Sequence, residues 1–459
     1  MRTILYSLVI ATLLFNGCSD SNSSYLPIDA EPSLPASSNP LYSEQWALNY
    51  DATFYTQNGI DPDAHINAQN ILDRYKGVSI RVAIIDDGFD TTHPEIKDKI
   101  VATHNVSQLS TTTDVSHSSS DEYHGTAVAG ILAAKSNAIG ITGIASEVEL
   151  VLIKIPMNSY TDAIGIRAFD LAEQAGADII SCSWGTGDVS DAVREKIIDV
   201  ATNGRNGRGT LIVFAAGNSN ALMQNDESSI DEVIAVGATD RENLRTYYSS
   251  FGPQLDIMAP GGYDLGITTI DPQGDAGASP DAYNRFDQVY EGEESYFIGT
   301  SAAAPIIAGS LALSLERDSS QTRQELFEKL RISTTQNSQN VPYLYDMIST
   351  PAFSTSIQGQ FGSSGFSEFH VRLTSQATPQ SFGPYSINSL GEGEWSADVT
   401  DQLAEGNYTI EVLSLDDNTT FATDSFSIDS TQAAQVNKQV LRNDFYGYGK
   451  IDLMKLIYD

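Results

Sequence analysis

From residue 80 onward, short runs of β-branched and aliphatic residues alternate with longer stretches of helical apolar spacing. The runs at 81–85, 150–155, 178–183, 210–215 and 232–238 read as strands, and 126–134, 161–175 and 191–203 as helices. Such alternation builds right-handed βαβ units, so the chain is predicted to be α/β, a parallel sheet flanked by helices on both faces. Around 351–430 the period changes to two. Phe369, Val371 and Leu373 alternate with Glu368, His370 and Arg372, and Tyr408, Ile410 and Val412 with Thr409 and Glu411. With Gly-Asn and Asp-Asp turn signals nearby, this pattern predicts an antiparallel β-sandwich module over 346–435.

The N-terminus has a different texture. Residues 1–17 carry one positive charge, Arg2, and an apolar run over 4–15, too short to span a bilayer, which reads as a secretory signal peptide. Residues 18–38 are rich in Ser, Pro, Asn and acids and predict a flexible tether, with ordered chain from Asn39. The junction Asn16-Gly17-Cys18 resembles that of bacterial lipoproteins. That resemblance implies a lipid on Cys18, attachment to a membrane, and an exported protein of the cell envelope, in the outer membrane or facing the periplasm. Cys182 is then left without a disulfide partner and reads as a buried small hydrophobe.

The 459 residues include 25 basic and 60 acidic ones, a formal charge of -35. Such a surface repels nucleic acid and favours cationic partners, basic peptides or calcium. Keeping an exported protein soluble accounts for the same charge equally well.

Three segments carry groups suited to chemistry. The strand Val82-Ala83-Ile84-Ile85 ends in Asp86-Asp87-Gly88, where ligands bind in open α/β sheets. His124-Gly125-Thr126 opens an Ala/Val-rich helix, and Gly299-Thr300-Ser301 opens a second, 302–315, placing a hydroxyl at a positive dipole end. A hydroxyl, an imidazole base and an orienting carboxylate meet the needs of acyl transfer. Their order Asp, His, Ser is that of subtilisin.

On these residues the chain resembles the subtilisin-like serine peptidases: Asp86-Asp87-Gly88, His124-Gly125-Thr126-Ala127-Val128-Ala129-Gly130 and Gly299-Thr300-Ser301-Ala302-Ala303-Ala304-Pro305 match the three family signatures. The resemblance implies a serine endopeptidase acting on polypeptides, with Asp86, His124 and Ser301 as the triad. Phe214-Ala215-Ala216-Gly217-Asn218 resembles the family's oxyanion strand, which makes Asn218 the amide donor. Tyr446-Gly447-Tyr448-Gly449-Lys450-Ile451-Asp452-Leu453 resembles the segment that closes the peptidase domain, so that domain is assigned to 39–345 and 436–459, with the β-module inserted. The stretch from Gly393 to Ile410 resembles bacterial immunoglobulin-like repeats.

Within the superfamily the kexin and furin-like branch is the nearest match. Ser181-Cys182-Ser183-Trp184-Gly185 implies that Ser183, Trp184 and Gly185 are the strand edge that pairs with substrate. Asp188 falls where the branch has an acid under the first residue before the cleaved bond, and Asp87 where an acid meets the second. Basic residues are therefore expected there. Met157 stands in place of a further acid, which argues against a need for two successive basic residues.

The resemblance also implies structural calcium, held by Glu95, Asn137, the carbonyls of Lys135, Ile139 and Ile141, and Asn39. Asp226 and Glu227 read equally as a second ion site or as solvated loop acids. The histidines His65, His104, His117 and His370 lack zinc-ligand spacing, and His93 precedes Pro94 as a turn residue. The alternative to an active enzyme is an inactive envelope protein or adhesin that binds peptides.

Overall fold

A computed structural model describes residues 35–107, 110–119, 122–223, 225–273, 277, 286–290 and 293–335; then 343–349, 355–360, 369–378, 380–391, 394–399, 406–414 and 420–428; and 446–458. The predicted signal peptide, Cys18 and most of the predicted tether lie outside the described residues. The end of the tether does not: Ala36 is buried in a 3-10 turn, and its N–H donates to Asp73 Oδ1 at 2.8 Å. Ordered chain thus begins by Pro35, ahead of the expected Asn39.

The first eight strands are β1 (Arg81–Asp86), β2 (Ile100–Val106), β3 (Thr111–Thr112), β4 (Glu149–Lys154), β5 (Ile179–Cys182), β6 (Leu211–Ala215), β7 (Ile234–Thr239) and β8 (Ile257–Pro260). A hairpin of β9 (Phe286–Tyr290) and β10 (Glu293–Tyr296) follows, then β11 (Thr334–Thr335). Next come β12 (Tyr343–Ser349), β13 (Thr355–Gln360), β14 (Phe369–Ser375), β15 (Ser381–Gly391), β16 (Glu394–Val399), β17 (Gly406–Ser414) and β18 (Thr420–Ile428), and last β19 (Lys450–Ile451). The helices are α1 (Ala52–Asn58), α2 (His124–Ala133), α3 (Asp162–Gln174), α4 (Asp191–Gly207), α5 (Thr300–Arg317), α6 (Arg323–Ile332) and α7 (Leu453–Tyr458).

The main sheet has the order β11-β19-β8-β7-β6-β5-β1-β4-β2-β3. It is parallel from β19 through β2 and antiparallel only at its two ends. Strand residues divide by parity between two cores. Val82, Ile84, Leu150, Leu152, Leu211 and Val213 pack on one face with Leu132 of α2 and Ile307 and Leu311 of α5. Ala83, Ile85, Val151, Ile153, Ile212 and Phe214 pack on the other with Phe169 of α3 and Ile197 of α4. Each large apolar side chain so buried contributes about 1.5–3 kcal/mol, far more than helix propensity can. The α/β reading therefore holds; of the five main-sheet strands it lacks, β3, β11 and β19 have two residues each, β2 is near an edge and carries His104 and Asn105, and β8 ends in Pro260.

The chain leaves this sheet after β11 and returns at β19, which pairs with it antiparallel, Thr334 opposite Ile451 and Thr335 opposite Lys450. Between them the seven strands form one antiparallel ladder, β12-β13-β16-β15-β14-β17-β18. The long β15 serves both halves, pairing with β14 through its first residues and with β16 through its last. In the β14–β17 pair, Val371 and Leu373 are buried opposite Val412 and Ile410, while Arg372 meets Glu411 at 2.9 Å. Gly447 leads the return. Its φ is +57°, and a Cβ there would lie 2.2 Å from the Asp256 carbonyl, so only glycine closes the sheet at this point.

Candidate active site

Asp86 is the last residue of β1 and is fully buried. One of its oxygens, Oδ1, accepts the Asp87 N–H at 2.8 Å and lies 2.8 Å from His124 Nδ1. A carboxylate there fixes the proton on Nδ1 and leaves Nε2 as the basic nitrogen. Helix α2 starts at His124 itself, two residues ahead of the sequence reading, because Gly125 lets it press onto the end of β1. A Cβ on Gly125 would lie 2.4 Å from the Gly88 carbonyl and 3.0 Å from Asp86 Cβ.

Ser301 is the second residue of α5, after Gly299 at the N-cap with φ +121°. Four residues on, Pro305 has no N–H to give to the Ser301 carbonyl. Ser183 Oγ supplies that donor at 3.0 Å, and Ser301 Oγ donates in return to the Ser183 carbonyl at 2.9 Å. In the register of β1 and β5, Ile85 stands opposite Cys182, so Asp86 and Ser183 are the next pair, about 4.8 Å apart at the carboxyl edge. His124 is tied to one and Ser301 to the other. Phe297, just before Ser301, packs its ring 5.6 Å from that of His124. The structure thus pairs the carboxylate and imidazole chosen from the sequence and anchors the chosen hydroxyl on the neighbouring strand end.

Asn218 follows β6, after Gly217 with φ +97°. Its Oδ1 accepts both the N–H and the hydroxyl of Thr300 at 2.9 Å, and Thr300 Oγ1 accepts the Gly217 N–H at 3.2 Å. With the carbonyl end so occupied, Nδ2 points to the open side and donates to no group among the described residues. Thr300, Ser183 Oγ and Pro305 position the site and were not singled out for that from the sequence, although each stands inside or beside a quoted motif.

The family model described as the subtilase family matches residues 77–358, more than half of the chain. The chain belongs to the subtilase family. A calcium-dependent protease of Nostoc sp. is 33% identical over 305 residues, 60% of this chain and 44% of that protein. A dibasic-processing endoprotease of Schizosaccharomyces pombe is 30% identical over 292 residues, 61% of this chain and 37% of that protein. This chain therefore spans less than half the length of these two curated relatives. Among solved structures, a protease of Pseudoalteromonas arctica matches 65% of this chain and 92% of its own at 24% identity, with a TM-score of 0.53, a likeness of fold.

In this subtilase the edge after β5 is anchored by Trp184, whose Nε1 donates to the Ile85 carbonyl at 2.8 Å and whose ring packs against Phe214 and Tyr160. Ser183 is buried and Gly185 is exposed. The acids nearest Gly185 do not include Asp188. Asp188 is exposed and accepts from Asn225 Nδ2 at 3.1 Å. The carboxylates beneath the edge are those of Asp226 and Glu227: a Cβ on Gly185 would lie 3.4 Å from Asp226 Oδ2 and 3.9 Å from Glu227 Oε2. Glu227 is fully buried, accepting the Thr186 hydroxyl at 2.8 Å and N–H at 3.0 Å, and Asp226 accepts from Ser228 Oγ at 2.7 Å. Burial raises both pKa values in spite of these bonds. They lie some 40 residues along the chain from Gly185, so local spacing held no sign of the juxtaposition.

The calcium residues of the sequence reading also converge. Asn39 Nδ2 faces the carbonyls of Lys135 at 3.0 Å, Ile139 at 2.8 Å and Ile141. Three acceptors surround an amide that has two hydrogens, a donor set better matched to a cation. Asn137 Nδ2 donates to Glu95 Oε1 at 3.2 Å, and Glu95 is fully buried. These hard oxygens fit calcium.

Asp87 Oδ1 accepts the Gly125 N–H at 2.9 Å. Burial, then the charge of Asp86, pushes its pKa up to about 7, against the pull of His124 and the Gly125 N–H. The unfolded chain holds this group at about 3.9, so between pH 4 and 7 the folded state keeps a proton that the unfolded state has released. Wild-type stability is expected to fall through that window as pH rises, and between pH 4.5 and 7.5 the fall should be smaller in Asp87→Asn by on the order of 3 kcal/mol. Urea midpoints of both proteins at pH 4.5 and 7.5 check this; parallel curves would show that Asp87 does not carry the slope.

Proposed function

We propose that this protein is a serine endopeptidase that hydrolyses peptide bonds through an acyl-enzyme on Ser301. The observation that carries the reading is the 2.8 Å bond from His124 Nδ1 to buried Asp86, with Ser301 anchored on the neighbouring strand end. The Ser301 hydroxyl turns from the Ser183 carbonyl to His124 Nε2. As Oγ attacks the scissile carbonyl, Nε2 takes its proton, and the oxygen that gains charge faces Asn218 Nδ2. The imidazolium then protonates the leaving amine as the C–N bond breaks. Water, deprotonated by the same nitrogen, releases the acyl group.

The first side chain before the cleaved bond, in this reading, lies over Gly185 and meets Asp226 and Glu227, which suit a basic residue; Asp87 faces the second. The yeast relative's name, a dibasic-processing endoprotease, is in keeping with this preference. Because burial raises the pKa of both acids, selectivity for a basic residue weakens as pH falls, before ordinary carboxylates titrate. Calcium bound by Glu95, Asn137, Asn39 and the three carbonyls fastens the loop after α2 to the N-terminal segment. Lipid on Cys18 tethers the exported protein to the envelope. The strands between β11 and β19 form the inserted module, which steadies the peptidase domain or positions substrate.

Three outcomes are expected. Purified protein cleaves a peptide library after Arg or Lys, Ser301→Ala cleaves nothing, and Glu227→Gln loses the basic preference; apolar residues before the cleaved bond in the wild type would refute the acid subsite. Asn218→Ala lowers kcat about 10²–10³-fold with little change in KM. Chelator lowers the melting temperature, with a loss of about 2.7 kcal/mol of stability if calcium had been at a hundred times its Kd, and Glu95→Gln abolishes that response; an unchanged melting curve in chelator contradicts bound calcium.

A further inference from the structure

Two exposed aromatic residues face each other on this surface. Tyr247 and Tyr263 are 62% and 47% exposed, with ring centroids 4.9 Å apart and planes at 70°. One buried hydroxyl holds the chain at the roots of both. Tyr248, beside Tyr247, shares its proton between the carbonyls of Gly261 and Gly262 and accepts the Gly299 N–H at 3.0 Å. Gly262 precedes Tyr263, and the ring of Tyr248 lies 5.6 Å from that of Tyr247. Gly299 in turn adjoins the oxyanion amide, since a Cβ on it would lie 3.2 Å from Asn218 Nδ2. The aromatic pair therefore stands a few contacts from the reacting centre.

Its side of the centre follows from the loop between Asn218 and Glu227. At one end Glu227 binds Thr186, and Asn225 accepts the Val189 N–H at 2.8 Å, which joins the loop to the 183–185 edge. At the other, the N–H groups of Asn220 and Met223 donate at 2.7 Å to the carbonyls of Tyr248 and Phe251. The loop separates the acyl-binding edge from the tyrosines. With the acyl half of a substrate along 183–185, the residues that follow the cleaved bond would pass exposed Asn218 toward the tyrosine side of this loop.

We propose that Tyr247 and Tyr263 form a docking site for an apolar or aromatic side chain on the leaving segment of the polypeptide substrate, two to four residues past the cleaved bond. The proposal rests on the peptidase reading above. At roughly 3.3 Å per extended residue, two to four residues span on the order of 7–13 Å, the separation the proposal requires between the reacting carbonyl and the rings. Two aromatic planes near right angles offer a face and an edge to an incoming ring, and contact removes apolar surface from water. The rim is charged in both signs, Arg241 pairing with Asp264 at 2.6 Å beside Tyr263, so the pair selects an apolar body rather than a charge.

The test uses internally quenched peptides that are identical except for Phe or Gly at the second, third or fourth residue past the cleaved bond. For wild type, kcat/KM should favour Phe about three- to tenfold at one of these positions. The Tyr247→Ser/Tyr263→Ser double variant, or either single variant if the double one does not fold, should bring that ratio to about one. Its hydrolysis of a p-nitroanilide with the same acyl half, which has no leaving peptide, should stay within about twofold of wild type. A ratio unchanged in the variants overturns the docking site and leaves the peptidase reading standing. No turnover of any peptide, with no labelling of Ser301 by a fluorophosphonate, overturns both. An unchanged ratio accompanied by loss of self-association in sedimentation overturns it in favour of contact between copies.

Discussion

The reciprocal bond between Ser183 and Ser301 is the contact on which the site depends. It exists because Pro305 cannot donate to the carbonyl four residues back, which would otherwise be closed off inside α5. That carbonyl is buried and requires a donor, and the hydroxyl of Ser183 is the group that reaches it. In return the Ser301 hydroxyl rests on the Ser183 carbonyl. The N-terminus of a buried helix is thereby locked to the end of β5, one strand from Asp86. Backbone chemistry, rather than any attraction between the candidate catalytic groups, sets their spacing.

Around this lock the molecule gathers carboxylates that are wholly or partly buried. Asp86 and Glu227 are fully buried, and Asp87 and Asp226 partly so. Asp86 has an imidazole beside it and two hydrogen bonds, which is how a buried anion is held. Asp226 and Glu227 accept from neutral hydroxyl and N–H groups, and burial raises their pKa values. A cation arriving over Gly185 would relieve that cost, as a calcium ion would relieve the crowding of carbonyls at Asn39.

The β-strands between β11 and β19 bear on the same domain through a narrow join. The two short strands pair with each other, and β19 also pairs with β8, so the chain departs and returns at neighbouring points of the main sheet. Lys450 secures the return. It is almost fully buried, and its ammonium donates to the carbonyls of Asp63 and His65, while Asp452 accepts from Asn67 at 3.2 Å. A segment of more than a hundred residues can thus interrupt the fold because its ends already lie side by side.

Much of this was legible in the sequence, because it is local. The parallel sheet was written in apolar runs such as 82–85 and 211–215, which no other setting would bury, and the candidate nucleophile, base and carboxylate each stood at the start of a helix or the end of a strand. Asn39, Glu95, Asn137 and the three carbonyls were found through resemblance and do converge. The sequence alone therefore determined the elements and the chemistry each carries. Only the tertiary structure decided which groups meet across the strand ends: Asp226 and Glu227 near Gly185, the Ser183 hydroxyl on the Ser301 carbonyl, Thr300 turning the amide of Asn218, and Tyr247 against Tyr263. Helix and strand periodicity reflects burial near in the chain. Pairing between distant loops depends on strand order and register, which no local pattern encodes.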